Sequence, residues 1–405
     1  MKRARWHRWR RLVFRLLRWS VALLVVFLGV VLVTGWEAFG TAPEGERLAR
    51  MHRSGQWDED GFENPQPLWN DGWGTLWESL AGSDHGSPRE PIETVAVDPS
   101  RLAEAPASGL RVTWLGHSSM LLELDGHRVL TDPVWGPRSS PLSWLGPRRW
   151  YPPPLALADL PPLDAIVISH DHYDHLDTPT IVALADRDTT FIAPLGVGAH
   201  LEGWGVPAER IVELDWWEEH ALGELRVVMV PARHASGRIL LDQNRTLWAG
   251  YAFLGPEHRA LFTGDTGLFP AMAEVGERLG PFDLTMIEVG QYGQGWPDWH
   301  LGPEQAVRAH QMFRGGVMLP VHWGLFDLAN HDWTEPIERV RVAAEAVGVQ
   351  VASPRPGESF EPTVSVPRAR WWPQLPWRSA QEYAIVATKM AAVSEQADEA
   401  SEAAR

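Results

Sequence analysis

The sequence predicts an α/β fold: two β-sheets stacked face to face with helices on their outer sides, preceded by one apolar helix. Three observations carry this reading. From Leu110 onward, short β-type runs come in two batches, each followed by stretches of helical character. One of those runs, ending at Ser169, delivers the chain directly into a cluster of histidines and aspartates. The first 18 residues carry eight basic side chains and no acid, and an uncharged run follows them. At 405 residues and 44% hydrophobic, the chain can bury a substantial core, and global disorder is excluded.

The amino-terminal basic residues are Lys2, Arg3, Arg5, Arg8, Arg10, Arg11, Arg15 and Arg18. Trp19 to Trp36 then runs eighteen residues without a charge. As a helix it spans roughly 27 Å, just sufficient for a bilayer core, with a tryptophan at each interface. A cleaved export signal is the competing reading. Its apolar stretch is usually about 7 to 15 residues long, and no convincing cleavage site follows before Pro43. Residues 1–36 are therefore read as a basic cytoplasmic flank and a single-pass anchor, which puts the rest of the chain on the non-cytoplasmic side. The net charge is −16, so the chain beyond the flank carries −24, which disfavours a nucleic-acid partner. Cysteine is absent, which excludes disulfides, thiolate ligands and a cysteine nucleophile.

Residues 37–108 are rich in Gly, Pro, Trp and acid and are read as an arm on the following domain. Trp69, Trp73 and Trp77 would share an apolar face if that stretch were helical, which Gly72 and Gly74 oppose. Residues 109–360 form the predicted catalytic domain. Its first batch of β-type runs starts at Leu110, Ser119, His127, Asp164, Thr190 and Arg210, its second at Glu224, Leu247, Arg259, Asp283 and Val317. Helical stretches are expected at 178–186, 270–279, 303–313 and 335–347, the third opened by Pro303 and Glu304. Residues 361–405 are a Pro/Trp-rich segment and an Ala/Glu tail.

The most informative stretch is DAIVISHDHYDHLD, Asp164 to Asp177. Alternate side chains leaving a strand end point the same way, so His170 and His172 can close on one cation. Asp174 and His175 can reach a second position nearby. Three imidazoles and a carboxylate so close would be costly if buried unpaired, and a pair of divalent cations removes that difficulty. Further donors follow other apolar runs: His234 after LRVVMVPAR, Asp265 in the turn Thr263–Gly267, and His322 after VMLPV. A carboxylate has two oxygens, so Asp265 is the expected bridge. Imidazole and carboxylate donors without thiolate suit Zn²⁺, with Fe or Mn as substitutes.

HDHYDHLD resembles the signature of the metallo-β-lactamase superfamily, which implies an αββα sandwich with a binuclear site at one edge. More narrowly, TWLGHSSMLLEL (113–124), LTDPVW (130–135), VELDWWEE (212–219), FTGDTG (262–267), GPFDL (280–284) and VHWGLFDLAN (321–330) are similar to N-acyl-phosphatidylethanolamine-hydrolysing phospholipases D and their bacterial relatives. FENP at 62–65 is similar to that family as well. The resemblance implies that one metal takes His170, His172 and His234, the other Asp174, His175 and His322, with Asp265 between them. It places His117 and Asp132 near the site as orienting residues. The sequence departs from the family at IEVGQYGQGWPDWH (287–300), where Gly293, Gly295 and Pro297 replace bulk in a region that bears on substrate choice.

The implied function is a metal-dependent hydrolase, first a phosphodiesterase acting on phospholipid-like substrates through an activated water. Asp174 would be both ligand and orienter of that water. His300 is the candidate for contacting the substrate or assisting the leaving group, against a purely structural hydrogen bond. A lactonase or esterase of the same fold acting on a small ester is the alternative, and a nuclease or a non-catalytic scaffold fits less well.

Overall fold

The computed structural model describes residues 2–72, 74, 75 and 82–388, with the backbone alone at 2–5, 7, 8 and 10. Trp73, Trp77 and the Ala/Glu tail beyond residue 388 lie outside the described residues.

Helix α1 (Lys2–Gly35) takes in the basic flank as well as the apolar run. Its segment Arg11–Gly35 is long and apolar enough to cross a membrane, and its side chains are exposed almost throughout, Gly35 at its end being buried. The arm contributes α2 (Gly45–Met51), a small hairpin of β1 (Trp57–Asp58) and β2 (Gly61–Phe62), and a short α3 (Pro99–Leu102) capped by Asp98.

The two strand batches form two seven-stranded sheets. The first holds β3 (Leu110–Gly116), β4 (Ser119–Leu124), β5 (His127–Thr131), β6 (Ala165–Val167), β7 (Thr190–Pro194) and β8 (Ile211–Leu214) in that spatial order. The second holds β9 (Glu219–Leu222), β10 (Leu225–Val230), β11 (Gly250–Leu254), β12 (Arg259–Phe262), β13 (Phe282–Glu288), β14 (Gly315–Val321) and β15 (Gln350–Val351). Strand β16 (Ser359–Phe360) returns to the first sheet and pairs antiparallel with β3. The edge strand β9 and the two-residue strands β15 and β16 were not anticipated, because each is too short or too polar to show a β-type run.

Side-chain alternation along β4 explains the layers. Met120, Leu122 and Leu124 enter the core between the sheets, with Trp114, Tyr251, Phe253 and Phe262. Leu121 points the other way, to a second core with Ile181 and Leu184 of α4 (Thr178–Leu184) and Leu201 of α5 (Gly198–Gly203). Outside the second sheet lie α6 (Ala271–Leu279), α7 (Pro303–Met312) and α8 (Glu335–Val347), which bury Val275, Ala306 and Val340. The result is the four-layer αββα sandwich that the sequence predicted.

Pairing directions decide where the site falls. In the first sheet β3, β5 and β6 run one way, and in the second β10, β12, β13 and β14 do the same. His117, Asp132 and His170 follow the ends of the first set, and His234, Asp265 and His322 follow the ends of the second. Donors distant in sequence are thereby delivered to one edge of the sandwich.

Candidate metal centre

The loop after β6 brings the first group of donors together. His170 Nε2 lies 2.9 Å from His172 Nδ1, and His234 Nε2 lies 3.3 Å from that same atom. Nitrogens bound at about 2.1 Å to one tetrahedral ion would sit roughly 3.4 Å apart, so this spacing suits a shared cation. The second group surrounds Asp174, whose Oδ2 is 3.4 Å from His175 Nε2 and 3.2 Å from His322 Nε2. Asp265 Oδ2 stands between the groups. It is 3.1 Å from His175 Nε2 and 3.2 Å from His322 Nε2, and 3.9 and 3.8 Å from His170 and His234 Nε2. All seven residues expected as ligands are thus brought to one place.

The donor chemistry fits divalent cations. His175 Nε2 and Asp265 Oδ1 are buried without a hydrogen-bond partner, a costly condition that ligation relieves. Two of the imidazoles, His175 and His234, are also oriented from behind. Asp132 Oδ2 accepts from His175 Nδ1 at 2.7 Å, and its carboxylate is fixed by Ser169 N at 2.7 Å and Ser169 Oγ at 2.6 Å. The Trp299 carbonyl accepts from His234 Nδ1 at 2.9 Å. Such partners set the tautomer that leaves Nε2 free to ligate. His117 Nε2 sits 2.9 Å from Asp174 Oδ2, where it holds that carboxylate and lies close enough to the His175 and His322 donors to belong to the second group.

Backbone strain collects at the same edge. His117, Asp132 and His322 adopt φ of 52°, 33° and 65°, left-handed values that non-glycine residues keep only where the surroundings enforce them. Gly264, at φ 57°, lets the Asp265 turn approach the first sheet; a Cβ there would meet Ala249 O at 2.6 Å and Ser169 Cβ at 2.7 Å. The electrostatics follow from burial and charge. Burial pushes His170 and His234 well below the usual histidine range. Against burial, the Asp265 and Asp174 carboxylates hold His175 well above it. Asp265, also against burial, is held well below the carboxylate range by His175 and His322.

Residues 127–323 match the Beta-lactamase superfamily domain. An uncharacterised protein of Mycobacterium tuberculosis is 52% identical over 301 residues, which cover 73% of this chain and 80% of that protein. N-acyl-phosphatidylethanolamine-hydrolyzing phospholipase D 1 of Caenorhabditis elegans is 36% identical over 252 residues, 59% of this chain and 71% of the relative. The chain belongs to the metallo-β-lactamase superfamily. It is a metal-dependent hydrolase of that fold. Among solved structures, an isothiocyanate hydrolase from Delia radicum gut bacteria aligns with a TM-score of 0.50 at 19% identity, over 62% of this chain and 98% of that one, and shows the fold alone.

Several residues of this metallo-β-lactamase site escaped the sequence reading. Glu288, fully buried at the end of β13, accepts from His300 Nδ1 at 2.9 Å and lies 3.3 Å from His322 Nδ1. Its other oxygen accepts from Thr266 N at 2.7 Å and Leu301 N at 3.1 Å. An acid inside the otherwise apolar run LTMIEV was the available signal. Asn64 of the arm clamps the backbone of His234, accepting from its N–H at 3.1 Å and donating to its carbonyl at 2.7 Å. The FENP motif marked that position without revealing its contact. Arg233 forms a buried ion pair with Asp298 at 2.9 Å and donates to the Gln66 and Pro67 carbonyls, tying arm to site.

A cavity of about 300 Å³ opens over His172, Asp174, Asp265, His300 and His322. A groove of about 690 Å³ adjoins it, sharing His172 and Trp299 and reaching out past Asn64 and Pro67 to Leu240.

Proposed function

We propose that the chain is a phospholipase D-like phosphodiesterase that hydrolyses phospholipid-like substrates such as N-acyl-phosphatidylethanolamine. The observation that carries the reading is the position of Asp265 Oδ2, within 3.1–3.9 Å of both histidine groups, as a two-ion phosphodiesterase site requires. The relatedness to the nematode phospholipase supports the substrate class. His170, His172 and His234 would hold one ion and Asp174, His175 and His322 the other, with Asp265 shared; Zn²⁺ suits these donors best. When bound, the two ions polarise the phosphoryl oxygens and lower the pKa of a water.

The chain's own residues do the rest. Asp174, held by His117, orients the attacking water. Glu288 fixes His300 through Nδ1, which leaves Nε2 as the nitrogen available to the leaving oxygen. Water oxygen adds to phosphorus and gives up one proton, the phosphorus–oxygen bond to the N-acylethanolamine breaks, and the leaving oxygen takes up that proton through His300 Nε2. The products are phosphatidic acid and the N-acylethanolamine. Arg11–Gly35 would hold the chain in a bilayer with the basic end cytoplasmic and the domain on the other side.

Metal-loaded full chain in detergent, given N-acyl-phosphatidylethanolamine and separately a panel of lactones, tests this directly. Chelator-sensitive release of phosphatidic acid is the expected result. Good hydrolysis of a lactone or simple ester with no phosphatidic acid would replace the reading with an esterase.

A further inference from the structure

Two loops expose apolar side chains, and neither is a frayed tip. In the turn at 238–242, Asp242 Oδ1 accepts from Arg238 N at 3.0 Å and Ile239 N at 2.9 Å. This fixes Leu240 and Leu241 outermost, 91% and 87% exposed, and among the described residues no large apolar side chain is more exposed than Leu240. In the loop at 138–148, the Arg138 side chain donates to the Ser143 carbonyl at 3.1 Å and to the Gly146 carbonyl, which holds Trp144 and Leu145 outward.

Both loops lie where α1 ends. The Trp144 ring meets Phe27 edge-on with centroids 6.2 Å apart, and its Nε1 is 3.4 Å from Thr34 Oγ1. Arg238 Nε donates to the Ala38 carbonyl, just past the helix, at 2.7 Å. Tyr173, inside the metal-binding loop, donates to the Arg238 carbonyl at 2.7 Å and carries the guanidinium over its ring at 4.2 Å. Phe27 precedes Gly35 by eight residues, about 12 Å along a helix. Part of the catalytic domain therefore stands beside the apolar portion of α1 rather than beyond its end. A soluble partner seated on Trp144 would have to enter whatever surrounds Phe27, and the surroundings suited to Arg11–Gly35 are lipid.

We propose that the 239–241 turn and Trp144–Leu145 enter the leaflet from which α1 emerges, so that the groove from Leu240 to His172 opens onto the lipid surface. This rests on the reading of Arg11–Gly35 as a bilayer anchor. Apolar side chains seated about 5–10 Å into the headgroup boundary are the usual depth for such contacts. A lipid headgroup then reaches the histidine cluster along the groove while its acyl chains stay in the membrane.

The absence of native cysteine makes the test clean. Single cysteines at Leu241, Leu145, Val26 and Val364, each in the full chain, are labelled with the environment-sensitive fluorophore NBD. The chains are reconstituted in phosphatidylcholine–phosphatidylglycerol vesicles with or without doxyl lipids. Val364 is an aqueous control, since its segment packs near Ser108 at the opposite edge of the first sheet. The expected result is a blue-shifted emission at Leu241 and Leu145, mostly lost to doxyl quenching, with Val364 unaffected. Quenching at Val26 with aqueous Leu241 and Leu145 overturns the inference and leaves the anchor intact. Quenching at Leu241 without Val26 overturns the anchor and keeps the lipid-facing surface, and aqueous signals at all three overturn both. A blue shift at Leu241 without doxyl quenching would mean contact between copies of the chain and would also overturn the inference.

Discussion

Replacing Glu288 by Gln preserves the shape of the side chain and inverts part of its chemistry. The amide oxygen still accepts from Thr266 N and Leu301 N, at 2.7 and 3.1 Å in the native protein. The other oxygen, 2.9 Å from His300 Nδ1 and 3.3 Å from His322 Nδ1, becomes an NH₂ donor. His300, which donates to this oxygen through Nδ1, and His322, whose Nδ1 lies beside it, then face a donor. Each must turn its Nδ1 lone pair toward the amide, and the proton moves to Nε2, the nitrogen that His322 needs for ligation. Loss of such a partner commonly weakens metal binding about 10- to 100-fold, or about 1.4–2.7 kcal/mol. On the proposed assignment, the burden should fall on the ion that Asp174, His175 and His322 would hold, while the one that His170, His172 and His234 would hold stays bound. Chelator competition followed by two-step metal loss reads this directly, and Glu288→Asp should recover part of the affinity. Unchanged affinity for both ions in Glu288→Gln would refute the argument that this carboxylate sets the tautomer.

His331 is buried and accepts from Gln291 N through Nε2 at 2.9 Å, so it must be neutral in the fold, and burial pushes it down to about 4. The unfolded chain binds that proton near pH 6.5, so stability falls as pH drops from about 6.5 to about 4 and the loss levels off below. The contribution is about 3 kcal/mol, and unfolding titrations of wild type against His331→Gln should diverge over that window; parallel curves would contradict the assignment. His300→Ala should lower turnover by about 100-fold or more while both metals remain, if its role is the proposed proton transfer and not ligation. Loss of a metal in that variant, measured by elemental analysis, would make His300 a ligand.

The two sheets and the donor-bearing edge were legible because short apolar β-type runs lead into His170, His234, Asp265 and His322, and local pattern is what a single sequence displays. Contacts between distant segments were not. Asn64 meets His234 across 170 positions, and the acid Glu288 in its apolar run shows no partner until His300 and His322 fold beside it. Strand β16 pairs with β3 through only two residues, too few for a periodic signal. The loop tip at Leu240–Leu241 reads as an ordinary apolar pair. Only the fixed turn, the exposure and the neighbouring end of α1 give it meaning.

Metal content per chain, in wild type and in Asp265→Ala, is the most direct test of the site. With Asp265 Oδ2 shared between both histidine groups, the wild type should hold about two transition-metal equivalents. Asp265→Ala should lose both ions more severely than His234→Ala or His322→Ala, each of which serves one ion alone in the proposed assignment. A single tightly bound equivalent in the wild type, unchanged by Asp265→Ala, would contradict the two-ion centre.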